Sequence, residues 1–400
     1  MNTEVITLHD RVDLPAGFQA AGLGAGIKKN GKKDLALIVS DTSAAAAGIF
    51  TTNQVQAASV KLCRERLAQG TARAIVINSG NANACTGERG MKDARKMGAI
   101  GARALGLEEN DVLVCSTGHI GACLPMDVVE KGIETAASQI GSDHGLDAAE
   151  AIMTTDTRPK YCTTQILVEG KPVTLTGLAK GAGMIEPNMA TMLSFLMTDA
   201  AVDPAALQTC LKYAADQSFN RISVDGDRST NDTVLFLANG SAGHAPLDTT
   251  HPDWPAFKAA VFALTHDLAM KIMRDGEGVT KVVTIRVQGA VSNEEADCAA
   301  RSVGNSLLVK TSWVGNFPNW GRVMDALGYS AATIQEDRVD IAYDGLPATA
   351  GGLAASTPLD ELKKVIERSS FTIDIDLHVG DGEAIVYSCD CTEEYVKINR

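Results

Sequence analysis

Short apolar runs bounded by turn formers, separated by helix-period stretches, recur along this chain and narrow its fold class more than any other feature. Leu35-Ala36-Leu37-Ile38-Val39 and Ala74-Ile75-Val76-Ile77-Asn78 have the length and bounds of buried strands. Met91 to Leu105, rich in Ala, Lys and Arg, predicts a helix, Asp111 to Cys115 a strand, and Pro125 to Ala137 and Ala148 to Met153 two more helices. Strands are expected at Gln165 to Val168, Val173 to Gly177 and Met192 to Met197. Pro204 to Gln217 predicts a helix capped by Asp203. Thr233 to Ala238 and Lys281 to Val287 are strands around a long helix from Asp253 to Met273, whose Val261, Leu264, Leu268 and Ile272 form a core stripe. Asp360 to Arg368 is helical, and Phe371, Ile373, Ile375 and Leu377 then alternate with polar residues as a half-buried strand does. The class is α/β with layered sheets.

Aromatic residues make up only 4% of the 400 residues while Gly numbers 37, so the core must be packed from small and aliphatic side chains. At roughly 150 residues per domain the length allows two or three domains. The 45% hydrophobic and 21% charged fractions are those of a globular chain. With 36 Lys and Arg against 49 Asp and Glu the net charge is -13, which argues against a nucleic-acid groove or an anionic membrane surface. No basic and apolar leader opens the sequence, and no run approaches the about 18 apolar residues of a membrane span. Nine scattered cysteines suit reduced, mostly buried thiols in a cytoplasmic protein, and none falls at metal-ligand spacing.

Several loops do not read as plain scaffold. Asn78-Ser79-Gly80-Asn81-Ala82-Asn83-Ala84-Cys85-Thr86-Gly87 is either a turn satisfied by its Asn side chains or a site. Cys85 within it is expected to be a buried, inert thiol rather than a nucleophile. Ser116-Thr117-Gly118 follows a strand, where a hydroxyl and a backbone N–H can converge as an oxyanion hole requires, although spacing alone favours an ordinary turn. Lys180-Gly181-Ala182-Gly183 and Gly22-Leu23-Gly24-Ala25-Gly26 both miss the phosphate-loop and dinucleotide patterns. Asp225 to Asp232 is a dense polar loop without the spacing of a calcium loop. Gly276 is the expected C-cap of the long helix, leaving Glu277 without a structural duty.

Taken in order, these strings resemble the ornithine acetyltransferase (ArgJ) family of arginine biosynthesis. The resemblance rests on Asn78 to Gly87, Ser116-Thr117-Gly118, Met153-Thr154-Thr155-Asp156-Thr157, Lys180 to Ile185 with Pro187 to Leu193, Asp225-Gly226-Asp227, Arg274 to Gly278, Pro318-Asn319-Trp320-Gly321-Arg322 and Tyr395-Val396-Lys397-Ile398-Asn399. It implies a layered α-β-β-α sandwich of the DmpA/ArgJ-like kind that cleaves itself between Ala190 and Thr191, into an α chain, 1–190, and a β chain, 191–400. Thr191 is then the nucleophile, with its freed α-amine as base, since an α-amine has a pKa of about 7.7–8.0 against about 10.4 for Lys.

Thr117 and Gly118 match the oxyanion hole, and Thr155, Lys180, Thr191, Glu277 and Asn399 match substrate-binding positions. The implied reaction moves acetyl from N2-acetyl-L-ornithine to L-glutamate through an acetyl-Thr191 ester, with ping-pong kinetics. No metal or cofactor is implied, acetyl-CoA is a second donor in bifunctional members, and the family suggests a heterotetramer of two α and two β chains. Competing readings are an amidase- or aminopeptidase-like hydrolase with the same nucleophile, and a non-catalytic amino-acid-binding relative. Three departures from the family pattern are the short tail after Asn399, Gly315-Asn316-Phe317 before Pro318, and Arg228 after Asp227.

Overall fold

The computed structural model describes residues 6–186 and 192–400. The chain divides into two compact units, the first from the described parts of 1–181, 187–220 and 228–272, the second from 182–186, 221–227 and 273–400.

In the first unit the strands are β1 (Leu8–His9), β2 (Phe18–Leu23), β3 (Leu35–Phe50), β4 (Thr71–Asn81), β5 (Val112–His119), β6 (Lys160–Val168), β7 (Lys171–Lys180), β8 (Leu193–Thr198) and β9 (Thr233–Ala238). Its helices are α1 (Ala58–Arg66), α2 (Gly87–Leu105), α3 (Met126–Ala137), α4 (Gly145–Ala151), α5 (Pro204–Gln217) and α6 (Trp254–Arg274). Among the described residues the nine strands form one sheet in the order β1-β6-β7-β8-β9-β3-β4-β5, with β2 on β3.

The 16-residue strand β3 explains how one sheet makes two layers. Its first part pairs with β2 and β4, its last part with β9, and between them Asp41, Thr42 and Ser43 are exposed where the register with β4 shifts. Side chains alternate across a strand, so each half presents one face inward. Leu193, Phe195 and Met197 of β8 share a buried cluster with Ile38 of β3, Ile75 and Ile77 of β4 and Leu113 of β5. The outer face of β3 to β5 carries Leu37, Val76 and Val114, packed on Met97 and Ile100 of α2 and Ile133 of α3. The outer face of β7 to β9 is covered by α6, where Phe257 stacks on Phe236 of β9 with ring centroids 6.3 Å apart. The order is therefore helices, sheet, sheet, helix, the expected α-β-β-α sandwich. The predicted stripe of Val261, Leu264, Leu268 and Ile272 is fully buried.

Helix α5 has its predicted bounds, and the Asp203 carboxylate accepts from Ala205 and Ala206 N–H at 3.0 and 2.9 Å. Beyond α6 the expectation for Gly276 is corrected: Gly278, at φ +70°, holds the left-handed turn, and Gly276 lies outside that region.

The second unit contains β10 (Val282–Ala290), β11 (Asp340–Tyr343), β12 (Leu346–Ala350), β13 (Leu353–Ala354), β14 (Ser370–Asp376) and β15 (Gly382–Cys389), with α7 (Asn293–Asn305), α8 (Leu307–Val314), α9 (Trp320–Gly328), α10 (Leu359–Ile366) and α11 (Glu393–Ile398). Its sheet order is β13-β12-β11-β14-β10-β15. Ile285, Ile373, Ile375 and Val386 face a core closed by Val303 of α7, Trp313 of α8, Leu327 of α9 and Val365 of α10. The other face is polar: Arg286 pairs with Asp374 at 2.7 Å along a groove of about 510 Å³. Among the described residues no helix is long and apolar enough to cross a membrane.

Candidate active site

Thr117 and Gly118 end β5, where the sheet is pulled unusually tight. Ser79 and Gly80 of β4 are their register partners, and the ladder shifts at the next residue. Gly118 has φ +133°, and a Cβ there would stand 2.3 Å from the Gly80 carbonyl carbon. Only glycine fits so close a backbone approach. Thr117 is buried, and its Oγ1 receives Lys180 Nζ, from the end of β7, at 3.5 Å.

The Asn-rich loop is the frame behind this corner. Ser116 Oγ donates to Asn78 Oδ1 at 2.6 Å, Asn78 Nδ2 donates to Asn81 O at 2.8 Å, and Asn83 N–H donates to Asn81 Oδ1 at 2.8 Å. The turn satisfied by its own Asn side chains is thus the reading the structure bears out. Asn231, just before β9, completes it by donating to Ala82 O and Ser116 O at 2.6 and 2.7 Å. Cys85 corrects the expectation of a buried thiol. It is exposed at φ +57°, because the loop turns left-handed there and swings the side chain outward.

Asp156 organises the opposite wall. Its buried carboxylate accepts from Lys160 Nζ at 2.6 Å, from Gly181 N–H at 2.7 Å and from Thr154 N–H at 2.9 Å. Burial pushes this carboxyl up, but the facing Lys180 and Lys160 charges and these hydrogen bonds outweigh it and hold it well below the ordinary range. Lys28 Nζ donates to Met153 O at 2.6 Å, which ties the same loop to the connection between β2 and β3. Burial and, more weakly, the neighbouring Lys180 bring the Lys28 amine down to about 8, against the opposing field of Asp34. Thr155 stands exposed on this loop, one residue from the Asp156 anchor. Oxyanion-hole candidates, a buried lysine and the loop of Thr155 are therefore assembled from β5, β7 and the connection before β6.

In the second unit Glu277 is held in another cluster. Its N–H donates to Ala182 O at 2.9 Å, its Oε2 accepts from Asn399 Nδ2 at 2.5 Å, and a Cβ on Gly183 would meet the carboxylate at 2.5 Å. Asp225 fixes the segment Gly183 belongs to, accepting from Met184 and Ile185 N–H at 2.6 and 2.8 Å and from the Tyr395 hydroxyl at 3.2 Å. Glu277 and Asn399, 122 positions apart in sequence, are thereby brought together, and the acid without structural duty has a partner. Thr191 and Ala190 lie outside the described residues. Met192, the next residue, has its N–H held by Asp232 Oδ1 at 2.9 Å. Asp156, Asn231 and Asp232 are the residues sequence reasoning did not assign to the site. Among the described residues no group of three or more metal-binding side chains forms.

A hydroxyl and a glycine N–H at a strand end, beside a buried ammonium, are the kinds of group that acyl-transfer chemistry uses to stabilise an oxyanion. The comparisons narrow that class. The ArgJ family matches residues 19–400, and this chain belongs to it. The arginine biosynthesis bifunctional protein ArgJ of Symbiobacterium thermophilum is 50% identical over 390 residues, 97% of both chains. That of Geobacter sulfurreducens is 48% identical over 384 residues, 96% of this chain and 98% of its own. The crystal structure of the arginine biosynthesis bifunctional protein from Bacillus halodurans is 40% identical, with a TM-score of 0.50, over 52% of this chain and 99% of the solved one.

Proposed function

We propose that the chain transfers acetyl from N2-acetyl-L-ornithine to L-glutamate, releasing L-ornithine and N-acetyl-L-glutamate, with Thr191 as nucleophile after cleavage between Ala190 and Thr191. The observation that carries the reading is the Thr117–Gly118 corner with Lys180 Nζ 3.5 Å from Thr117 Oγ1, in a chain that matches the ArgJ family from residue 19 to 400.

In the first half-reaction the Thr191 hydroxyl adds to the acetyl carbonyl while the α-amine takes its proton. The oxyanion that forms is stabilised by the Thr117 and Gly118 donors, and collapse expels ornithine, which takes the proton from the ammonium. Glutamate then attacks the acetyl-Thr191 ester by the same steps in reverse. Lys180 supplies positive charge for a substrate carboxylate, and Glu277 with Asn399 receives an amino group. No metal or bound cofactor takes part, and acetyl-CoA serves as a second acetyl donor in the bifunctional form of the activity. The working form is a cytoplasmic heterotetramer of two α and two β chains.

Intact-mass analysis of the purified protein should give two chains divided at 190/191, and Thr191→Ala should give one chain without transfer activity. An uncleaved and fully active chain would overturn the mechanism. Assays of the cleaved protein with glutamate and either N-acetylornithine or acetyl-CoA separate the two donors. Free acetate as the main product would identify a hydrolase instead.

A further inference from the structure

Lys28 is a lysine the mechanism above leaves unused, in a position that is costly for the fold. It lies in the first unit, in the connection between β2 and β3, where the fully buried Asp34 carboxylate gathers three backbone donors: Ala25, Lys28 and Gly26 N–H at 2.7, 2.8 and 3.2 Å. That turn fixes the point from which the Lys28 side chain leaves. The half-buried side chain lies over Gly80 of β4, where an added Cβ would stand 2.9 Å from Lys28 Cγ. Its Nζ then donates to Lys33 O at 2.8 Å and to Met153 O at 2.6 Å, neither of them a carboxylate. Burial brings the amine down to about 8, helped by Lys180 and Lys32 and opposed by Asp34 and Asp156. A folded-state value below the ordinary lysine pKa of about 10.4 means that the charge weakens the fold at every pH below about 8, and that this loss disappears only above about 10.4. Water would satisfy two half-buried carbonyls without that loss, so stability alone does not account for a lysine here.

We propose that Lys28 is a positioning residue that presents Thr155 to the substrate, by fixing the loop between α4 and β6 against the Gly80–Gly118 corner; this rests on the function proposed above. Other groups hold the two ends of that loop. Ser79 Oγ of β4 donates to Ala151 O, at the end of α4, at 2.5 Å, and Asp156 accepts from Thr154 N–H and from Lys160 Nζ at the head of β6. Lys28 grips the middle, at Met153, two residues before the exposed Thr155. The same side chain rests on Gly80, the register partner of Gly118. One side chain thus touches both the strand behind the oxyanion-hole candidate and the loop of the substrate-binding candidate, and sets the spacing between them. A group that places a binding hydroxyl, without touching the Thr117–Gly118 donors, acts on KM and little on kcat.

The test uses the full-length chain with Lys28→Met, which keeps the carbon chain over Gly80 and removes the ammonium, with Thr155→Ala, and with both together. Cleavage at 190/191 is followed by intact mass, and kcat and KM for N-acetylornithine are measured per cleaved chain, beside the melting temperature. Lys28→Met should melt no lower than the parent yet raise KM about tenfold, with kcat within about threefold. Thr155→Ala should raise KM at least as much, and the double variant should lie within about twofold of Thr155→Ala alone, because without the hydroxyl Lys28 has nothing to position. The proposal is overturned by a Lys28→Met or a Thr155→Ala variant with the parental KM, by a rise in KM that accompanies a lowered melting temperature, or by a double variant in which the two effects multiply. A parent that neither cleaves nor transfers refutes the function itself, and this proposal with it; a parent that does both beside a Lys28→Met variant with the parental KM refutes only this proposal.

Discussion

Replacing Asp156 by Asn removes the charge and turns one acceptor oxygen into an NH2 donor, so the Thr154 N–H loses its acceptor. The amide oxygen still accepts from Gly181 N–H, but Lys160, whose side chain is 1% exposed, loses the carboxylate 2.6 Å away. Breaking a buried pair from one side costs about 3–5 kcal/mol. At about 2 °C per kcal/mol for a unit of this size, the variant should melt about 6–10 °C below the parent at pH 7.5.

On the acid side the sign is fixed by the depressed carboxyl of the folded state. The stabilisation is complete above the ordinary Asp value of about 3.9 and drains as pH falls below it toward the folded value, so parent and variant should converge there. Differential scanning calorimetry from pH 3 to 7.5 measures both regimes. A gap under about 2 °C at pH 7.5, or one that does not narrow toward pH 3, would refute an ionised Asp156–Lys160 pair.

Gly118→Ala forces a Cβ against the Gly80 backbone at 2.3 Å, which neither strand can yield, so the donor geometry should break and kcat fall by about 100-fold or more; a variant turning over like the parent would remove Gly118 from the oxyanion hole. Gly183→Ala places its Cβ 2.5 Å from the Glu277 carboxylate, a side-chain end that can swing away from Asn399. Losing a charged hydrogen bond to substrate should raise KM about 10–100-fold with little change in melting temperature, and an unchanged KM would show that Glu277 does not bind substrate. Cys85→Ser should keep activity within about twofold; a loss of two orders of magnitude would restore the thiol as nucleophile.

Elements whose pattern is long and made of large aliphatic residues were legible in the sequence. The α6 stripe and the alternation of β14 needed only side-chain period, and β9 only its continuous apolar run. Helix α7 was not, because its buried face is Ala296, Ala299, Ala300 and Val303, and alanine carries little signal for inside over outside. Strand β11, four residues long, is too short to show a period. The fold-over at Asp41 to Ser43 depends on which strands pair with each half of β3, which is long-range information.

The site divides in the same way. Only the ordered motifs single out Thr117, Gly118, Lys180, Glu277 and Asn399 as candidates; on spacing alone Thr117-Gly118 reads as a turn. Asp156 sat inside a quoted motif yet was passed over, since an Asp among Thr residues in a loop reads as a surface turn until two lysines converge on it. Asn231 and Asp232 act through backbone groups far away in sequence, which no local pattern can announce.

The position proposed for cleavage also explains how a cut chain would hold together. Residues 190 and 191 fall in sequence between β7 and β8, so opening the bond between them would cut no described ladder. Six register pairs, from Leu175 and Thr198 to Lys180 and Leu193, still join the two sides, and β8 is paired with β9 on its other edge. Leu193, Phe195 and Met197 remain in the inner core with residues of β3 to β5, which belong to the other chain. A cut there would leave the described ladders and the burial among these residues in place. A cut within β7 or β8 would sever strands buried on both faces. The position proposed to free a threonine amine is thus also one where a break would cut no described strand pairing.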